Sequence, residues 1–371
     1  SSHSKSPGHL IIPLTLKRVV SLGNLFPILE EMGIADEVKD NGFRTRGTTR
    51  FYSSNDEYFT YNIVAGEDSV PMYCVPRYKF DDIVNKAAVR TGIDYIENFE
   101  VVDLLMSRGK VCGVRGIHNG NVVEIESDLV VLASGSHFLP SRKLGFFEED
   151  PDLIFYGLRG YFDNVGNMED TEFYFPDHFL PSGYIWIFPA SKTMANVGVF
   201  ITETALKKSG MTTEELLWDW VNNTKYGKER LGNAELIGDL KGWRLPCGKR
   251  KPVYADGVIA VGDAGNMIEE HGGGGIPQAM IAGQISAKIA KMAVEANDFS
   301  KDFLKQYSDM IDEALGTTYL TNQLLRKYCY NNPEQIRELV EYMHTPNADY
   351  VAYVMNKSKT QIDVDTLVSH G

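Results

Sequence analysis

The stretch from Gly257 to Pro277 constrains the fold of this 371-residue chain more than any other segment. It begins with an apolar strand, continues through Asp263, and passes four consecutive glycines, Gly272 to Gly275, before a predicted helix begins. Glycine lets the backbone approach a flat ring or a phosphate without a Cβ in the way, and proline is favoured in the first turn of a helix. The unpaired N–H groups of that first turn favour an anion. The pattern therefore predicts a strand, a glycine-rich turn and a helix that face a common ligand.

Two interpretations of this stretch are open. In the first, it is a glycine-rich loop between a core strand and a core helix, and Asp263 caps the helix. In the second, the Asp263 carboxylate accepts hydrogen bonds from the sugar-alcohol hydroxyls of a cofactor. Gly262-Asp263 with its glycine cluster resembles the second FAD motif of the flavin monooxygenase and geranylgeranyl reductase superfamily. The resemblance implies FAD as the cofactor, with these binding residues: Gly262, Asp263, Gly273, Gly274, Gly275 and Ile276.

A second motif contains three aromatic residues at period two. In the segment from Pro181 to Pro189, Tyr184, Trp186 and Phe188 would all point to one face of a strand. They either fill the core of a sheet or line a long apolar cavity. With the Val-Gly pair at 197–198, the segment resembles the Y-x-W-x-F-P and V-G signature of geranylgeranyl reductases, flavoenzymes that saturate the isoprenoid chains of lipids. The resemblance favours a cavity and implies these substrate-binding residues: Tyr184, Trp186, Phe188, Pro189 and Gly198.

A third fragment, from Cys74 to Asp81, begins a predicted helix that Gly92 would end. Arg77 matches the arginine that contacts FAD in reductases of this kind, and its planar fork suits two phosphate oxygens. A solvated arginine at the start of a helix is the alternative. By count along the chain, the resemblance also implies a main-chain contact to the adenine end of FAD at Val101.

A β-meander is predicted after this helix, because Asn119-Gly120 is a strong hairpin signal. A parallel strand at 128–134 then ends at Gly135. In the superfamily this strand ends beside the flavin, so the resemblance implies that Gly135 contacts FAD. Ser134 stands where the superfamily has aspartate or threonine.

The start of the chain departs from the family pattern. The expected fold begins with a strand, a G-x-G-x-x-G turn and a helix, and an acidic residue after the second strand binds the adenosine ribose. The sequence contains no such unit; residues 1–8 resemble a disordered or vector-derived tip, and residues 16–32 resemble the helix that follows the unit. We expect the chain as given to bind FAD weakly or not at all. A form with about thirty further residues, the size of a βαβ unit, is expected to bind it normally.

The resemblance implies a mixed α/β fold. Its expected class is a Rossmann-like FAD-binding domain of the p-hydroxybenzoate hydroxylase and glutathione reductase type, interleaved with an antiparallel-sheet substrate domain and followed by a helical cap. The expected FAD-binding domain comprises residues 9–150 and 255–298 without its first βαβ unit, and residues 43–73 belong either to it or to the substrate domain. Residues 151–254 form the substrate domain, and residues 299–371 form the C-terminal helical region.

Composition limits the partners of the chain. Its 50 acidic and 37 basic residues give a net charge of −13, which argues against nucleic acid and against a general attraction to anionic membranes. No apolar run approaches the roughly eighteen residues of a spanning helix, so we expect a cytoplasmic protein, either free or peripheral to the membrane. The four separated cysteines indicate neither zinc nor disulfides, and no metal is expected. The basic stretch from Lys241 to Lys251 is expected to be a solvated loop, with a lipid-phosphate contact as the alternative.

These patterns lead to three hypotheses about function. The first is an FAD-dependent oxidoreductase that hydrogenates the geranylgeranyl double bonds of a lipid or prenyl diphosphate, with NAD(P)H or ferredoxin as the electron donor. The second is an FAD-dependent aromatic monooxygenase or halogenase, and the tyrosine and phenylalanine of the aromatic motif favour the reductase over it. The third is a flavin-free lipid-binding protein. The catalytic acid is not identified; His271 is a candidate, and a structural loop histidine is the alternative. The sequence does not set the oligomeric state.

Overall fold

The computed structural model describes residues 25–357, apart from residues 56, 63–72, 137–138, 148–149, 167, 180–182, 249–251, 347, 350–351 and 355. The N-terminal tip, the first part of the helix predicted at 16–32, and the end of the C-terminal region lie outside the described residues. The described part is a mixed α/β fold, in which a seven-stranded sheet lies against a smaller α/β unit.

Ten α-helices occur in the described part of the chain. They are α1 (Phe26–Glu31), α2 (Ala35–Asp40), α3 (Arg77–Arg90), α4 (Leu139–Lys143), α5 (Glu203–Ser209), α6 (Thr213–Asn223), α7 (Lys225–Leu231), α8 (Ile276–Ala296), α9 (Lys301–Cys329) and α10 (Pro333–Met343). Among these described helices, none is both long and apolar enough to cross a membrane.

The same part of the chain contains fifteen strands. They are β1 (Phe43–Arg44), β2 (Thr48–Tyr52), β3 (Tyr58–Asn62), β4 (Tyr73–Cys74), β5 (Phe99–Ser107), β6 (Lys110–His118), β7 (Asn121–Glu126), β8 (Val130–Leu132), β9 (Ile154–Asp163), β10 (Thr171–Tyr174), β11 (Gly183–Pro189), β12 (Ala195–Thr202), β13 (Glu235–Pro246), β14 (Tyr254–Ala255) and β15 (Val258–Ala260).

The large sheet has the strand order β13-β9-β12-β11-β10-β2-β3. Its neighbouring strands are antiparallel except β10 and β2, which are parallel. Strands β2 and β3 belong to the segment that the sequence left between the two predicted domains, and they extend this sheet. The limits of the predicted domains stay a prediction.

The two faces of this sheet differ in composition because side chains alternate along each strand. In β11, Tyr184, Trp186 and Phe188 pack with aromatic residues of neighbouring strands. Ile185 and Ile187 pack on the other face, in a mixed aliphatic and aromatic cluster that includes α6. Helix α6 begins with a capping box, in which the Thr212 hydroxyl and the Glu215 carboxylate each accept a backbone N–H. The predicted aromatic face is therefore present in the structure.

The smaller unit is built on the parallel pair β15 and β8, with β14 beside β15. Helix α8 packs on these strands, and the buried Tyr307 of α9 donates a hydrogen bond from its hydroxyl to the carbonyl of Ala260 at 2.9 Å. The carboxyl ends of parallel strands lie at the same edge of a sheet. The segments that follow β8 and β15 are therefore brought side by side.

The predicted meander is formed by β5, β6 and β7, which pair antiparallel. Its second turn has Asn119 at φ 51° and Gly120 at φ 78°. Two successive positive φ angles are typical of the tight hairpin turn that Asn-Gly favours. Helix α3 ends just before Gly92, which has φ 82°, as the sequence predicted.

Candidate active site

A cavity of about 830 Å³ lies between the glycine-rich loop and the aromatic face of the large sheet. This volume is within the range of small-molecule sites. The predicted site residues that line it are Arg77, Gly135, Trp186, Phe188, Pro189, Gly262, Asp263, Gly273, Gly274, Gly275 and Ile276. The structure therefore brings the two main sequence motifs, which are about eighty residues apart, to one cavity.

A buried carboxylate shapes the glycine-rich loop. Oε2 of the fully buried Glu269 accepts hydrogen bonds from the backbone N–H groups of His271 at 3.1 Å and Gly272 at 2.9 Å. Its Oε1 accepts a third from the N–H of Gly274 at 2.8 Å, and a Cβ on Gly274 would lie only 3.2 Å from that oxygen. The loop is thus wrapped around Glu269, and Gly273 to Gly275 are presented to the cavity.

Asp263 lies where the two parallel strands end. Its Oδ2 accepts a hydrogen bond from the Ser136 hydroxyl at 2.9 Å, and a Cβ on Gly275 would lie 3.0 Å from its Oδ1. Gly135, just after β8, has φ 61°, and an added Cβ there would meet open space. The carboxylate and both glycines therefore converge on one side of the cavity.

The first turn of α8 closes the same side. Ile276 begins the helix, Pro277 lies in its first turn, and Ile276 and Ala279 line the cavity. Gly262 has φ 56°, and a Cβ on it would lie 2.9 Å from the Cβ of Ala279, so glycine permits the close approach of loop and helix. The positive end of the dipole of this 21-residue helix therefore faces the cavity.

The opposite side of the cavity is an aromatic wall. We use this name for Trp186, Phe188 and Pro189 of β11, which line the cavity. The indole N–H of Trp186 donates to the Oδ1 of Asn196 at 2.7 Å, and Asn196 also lines the cavity. This hydrogen bond fixes the plane of the indole.

Tyr184 and Gly198 are not among the described residues that line the cavity. The buried Tyr184 donates a hydrogen bond from its hydroxyl to the carbonyl of Gly272 at 2.6 Å, which ties the sheet to the glycine-rich loop. Gly198 pairs with Trp186 across the sheet, and a Cβ on it would lie 2.3 Å from the indole ring and 2.2 Å from the carbonyl oxygen of Leu158. Both residues therefore contact parts that line the cavity, and the direct substrate contacts expected for them stay a prediction.

Arg77 begins α3 at the edge of the cavity. Its guanidinium pairs with the carboxylate of Asp81 one turn later, with distances of 2.9 and 3.1 Å, and about half of the side chain is exposed. Its backbone N–H donates to the Tyr161 hydroxyl at 3.3 Å. Arg77 is among the residues that line the cavity, and its contact with FAD stays a prediction.

Val101 lies elsewhere. It belongs to β5, where it pairs with Gly116, and it is not among the described residues that line the cavity. Its side chain is exposed. The predicted main-chain contact with the adenine end stays a prediction.

His271 is not positioned as a proton donor. It is buried at 8% exposure, its ring lies 4.4 Å from that of Tyr330, and it is absent from the described lining of the cavity. Burial and the charge of Arg326 lower the pKa of its imidazole to about 3. Arg326 itself pairs with the buried Glu270 at 2.9 Å, which connects the loop to α9. The imidazole is therefore neutral at ordinary pH, and it packs the loop against the C-terminal helices.

Several lining residues lie outside the sequence motifs. Arg159, Tyr161, Lys241 and Trp243 line the cavity from β9 and β13, beside Asn196. Their period-two spacing within each strand was the available signal. Lys241 was expected in a solvated loop but lies in β13, and residues 249–251 at the other end of that basic stretch lie outside the described part.

The described lining suits FAD. A carboxylate at the end of a parallel strand can accept hydrogen bonds from the hydroxyls of the ribityl chain, and the first turn of α8 can face an anionic group. Gly135 and Gly273 have positive φ, and backbone without a Cβ leaves room for a flat ring. Within the described residues, no group of His, Cys, Asp and Glu side chains could hold a metal ion.

Comparison with known proteins is consistent with this geometry. The sequence profile described as the geranylgeranyl reductase catalytic domain matches residues 161–237, which include the aromatic wall. Digeranylgeranylglycerophospholipid reductase 2 of Methanococcoides burtonii is 28% identical over 262 residues, covering 70% of this chain and 62% of that protein. The 1H-pyrrole-2-carbonyl-(peptidyl-carrier protein) chlorinase of Pseudomonas fluorescens is 27% identical over 333 residues, covering 84% of this chain and 73% of that protein.

A similar fold occurs in a solved structure. The crystal structure of a geranylgeranyl bacteriochlorophyll reductase-like protein from Thermoplasma acidophilum has a TM-score of 0.77 and 22% identity, and the match covers 91% of this chain and 86% of that one. This likeness confirms the predicted fold class. The chain spans less than two thirds of the Methanococcoides reductase. The catalytic-domain match and the reductase relatives together show that the chain is similar to the geranylgeranyl reductase family.

Proposed function

We propose that this protein is an FAD-dependent reductase that hydrogenates the double bonds of a geranylgeranyl lipid or prenyl diphosphate. The main support is that one cavity contacts both the glycine-rich loop and the aromatic wall. An isolated alkene offers no polar handle, so its reduction depends on holding an apolar chain in line with a flat ring. The name of the Methanococcoides relative supports this substrate class.

Three parts of the site would hold FAD. The Arg77 guanidinium would pair with phosphate oxygens, and the Asp263 carboxylate would accept hydrogen bonds from the ribityl hydroxyls. The backbone of Gly273 to Gly275 and the first turn of α8 would lie against the ring, where the helix dipole favours the negative charge of its reduced form. When bound and reduced by a donor such as NAD(P)H or ferredoxin, FAD supplies a hydride for one alkene carbon.

The aromatic wall would align the isoprenoid chain. Trp186 is held by Asn196 and by the absence of a side chain at Gly198, so it offers a flat apolar surface in a fixed orientation. Burying one CH₂ group contributes about 0.8 kcal/mol, so a five-carbon isoprene unit contributes on the order of 3 to 4 kcal/mol before ordering costs. The affinity should therefore depend strongly on the number of isoprene units inside the cavity.

The second alkene carbon needs a proton. Among the described lining residues the only carboxylate is Asp263, which accepts a hydrogen bond from Ser136, and there is no histidine. The Tyr161 hydroxyl lines the cavity and accepts the backbone N–H of Arg77, which leaves its own proton directed elsewhere. We assign this hydroxyl as the proton source.

The proposal is tested with full-length protein that carries FAD and is reduced anaerobically. Addition of a geranylgeranyl lipid should restore the absorbance of oxidised flavin at a rate that saturates with lipid. The fully saturated lipid of the same chain length is the matched control, because it occupies the same cavity but has no alkene. Equal reoxidation with both lipids, or with neither, would refute the proposal.

A halogenase is the second candidate, and the 27% identity to the chlorinase over 333 residues favours it. Such an enzyme needs O₂, a halide and an electron-rich aromatic substrate. The apolar surface of the aromatic wall is better suited to an isoprenoid chain. Flavin that stays reduced with the lipid, together with halide-dependent product after O₂ is admitted, would favour the halogenase.

A further inference from the structure

Two cations lie directly opposite each other at one end of the cavity. Arg159 of β9 pairs in register with Lys241 of β13, and both side chains line the cavity. Like charges at directly opposed positions of an antiparallel pair destabilise the sheet. A protein with a net charge of −13 has many acidic residues that could have relieved this repulsion. The pairing therefore calls for an explanation.

Neither cation is neutralised within the described part of the chain. No described carboxylate oxygen lies within 4.0 Å of either one, and the contact that Arg159 makes is with the ring of Tyr161, at 5.4 Å. Asp263 is the only acidic residue among the described lining residues, and it lies with the glycine-rich loop. The two positive charges are thus available to a ligand.

The position of the two cations relative to the aromatic wall indicates how a bound ligand would be oriented. Arg159 also pairs with Gly198 on its other side, and Gly198 pairs with Trp186, so the two cations and the indole lie in one row across the sheet. β13 is the edge strand, Lys241 is exposed and Arg159 is half-buried. An anionic group bound here would lie at the mouth of the cavity, and an attached apolar chain would extend inward along the wall.

We propose that Arg159 and Lys241 form a subsite for the phosphate or diphosphate head group of the isoprenoid substrate. This inference rests on the proposed function, and it restricts the substrate to an anionic isoprenoid, in contrast to a free alcohol or a neutral quinone. The arginine fork binds two phosphate oxygens, and the exposed lysine adds a second charge. Arg77, the first residue of α3, would bind the cofactor instead.

The test compares two ligands with the same chain. Geranylgeranyl diphosphate and geranylgeraniol are titrated by calorimetry into the full-length, FAD-loaded protein and into the variants Arg159→Gln and Lys241→Gln. Lys208→Gln is the matched control, since Lys208 is exposed on α5 and is not among the described residues that line the cavity. Lys241→Gln changes an exposed side chain on an edge strand, so it tests the subsite without disturbing the core.

We expect each subsite variant to raise the Kd of the diphosphate about tenfold, which is the loss of one charge-assisted hydrogen bond, and to leave the Kd of the alcohol within twofold. Inorganic pyrophosphate should compete with geranylgeranyl diphosphate in the wild type and much less in the variants. Lys208→Gln should bind both ligands as the wild type does.

Three results would overturn the inference. The wild type could bind the alcohol as tightly as the diphosphate, the variants could weaken both ligands equally, or Arg159→Gln could lose FAD, which would assign the anion to the cofactor. Failure of the proposed function is separate: a wild type that binds the diphosphate through these residues but does not reduce it keeps the subsite and refutes the reductase.

Discussion

Replacing Glu269 by glutamine should loosen the glycine-rich loop. Both oxygens of this buried carboxylate accept backbone N–H groups, two at Oε2 and one at Oε1. An amide nitrogen cannot accept, so at least one N–H loses its partner and faces another donor. A hydrogen bond to a charged group contributes about 1.5 to 3 kcal/mol, and a buried unsatisfied group costs about 1 to 3 kcal/mol. We therefore expect Glu269→Gln to lower the free energy of unfolding by about 2 to 4 kcal/mol.

Urea denaturation measures this loss, and retention of FAD during purification measures its effect on the site, since Gly274 and its neighbours line the cavity. The control is Glu229→Gln, because Glu229 is exposed on α7 and its change should stay within about 0.5 kcal/mol of the wild type. If Glu269→Gln matched this control in both stability and FAD content, the loop would not depend on the carboxylate.

Three other changes have expected outcomes. Gly198→Ala should lower the unfolding free energy by about 1 to 3 kcal/mol, since its Cβ would meet a backbone oxygen at 2.2 Å. Gly316→Ala in α9 is the control, because its Cβ would meet open space, and it should raise the unfolding free energy by about 0.5 to 1 kcal/mol. Urea denaturation of both variants tests this. Tyr161→Phe should slow flavin reoxidation by the lipid about 100-fold or more without weakening lipid binding, and an unchanged rate would remove Tyr161 as the proton source. The pKa of His271 is lowered to about 3 in the folded state, against about 6.5 in the unfolded state. The stability linked to its neutral form is therefore complete above about pH 6.5 and is lost as the pH falls, by about 3 kcal/mol at pH 4. The unfolding free energy of His271→Gln should fall less steeply over this range.

The sequence predicted those features of the site that depend on local patterns. The aromatic wall follows from period-two spacing within one strand, so Trp186 and Phe188 were assigned to one face correctly. Gly262 and Gly275 are required by close approaches that only glycine permits, and such positions are visible in a sequence. The parallel strands that bring Gly135 beside Asp263 also followed from their apolar runs.

Features that depend on strand pairing or loop conformation could not be predicted. Arg159 and Lys241 are 82 positions apart and meet only because β13 pairs with β9. The loop around Glu269 depends on which N–H groups turn inward, and the sequence contains no signal for that. The sequence left His271 as either a candidate acid or a structural loop histidine, and only the packing against Tyr330 of the C-terminal region shows that it is buried.

We propose that the cavity holds an isoprenoid alkene against a flavin for reduction. The most direct measurement is the product mass from a single anaerobic turnover of the full-length, FAD-reduced protein with a geranylgeranyl lipid, with flavin absorbance followed in the same sample. We predict a gain of two mass units for each flavin reoxidised, on the same time course. A lipid of unchanged mass, beside flavin that is reoxidised only by O₂, would show that the protein does not reduce the alkene.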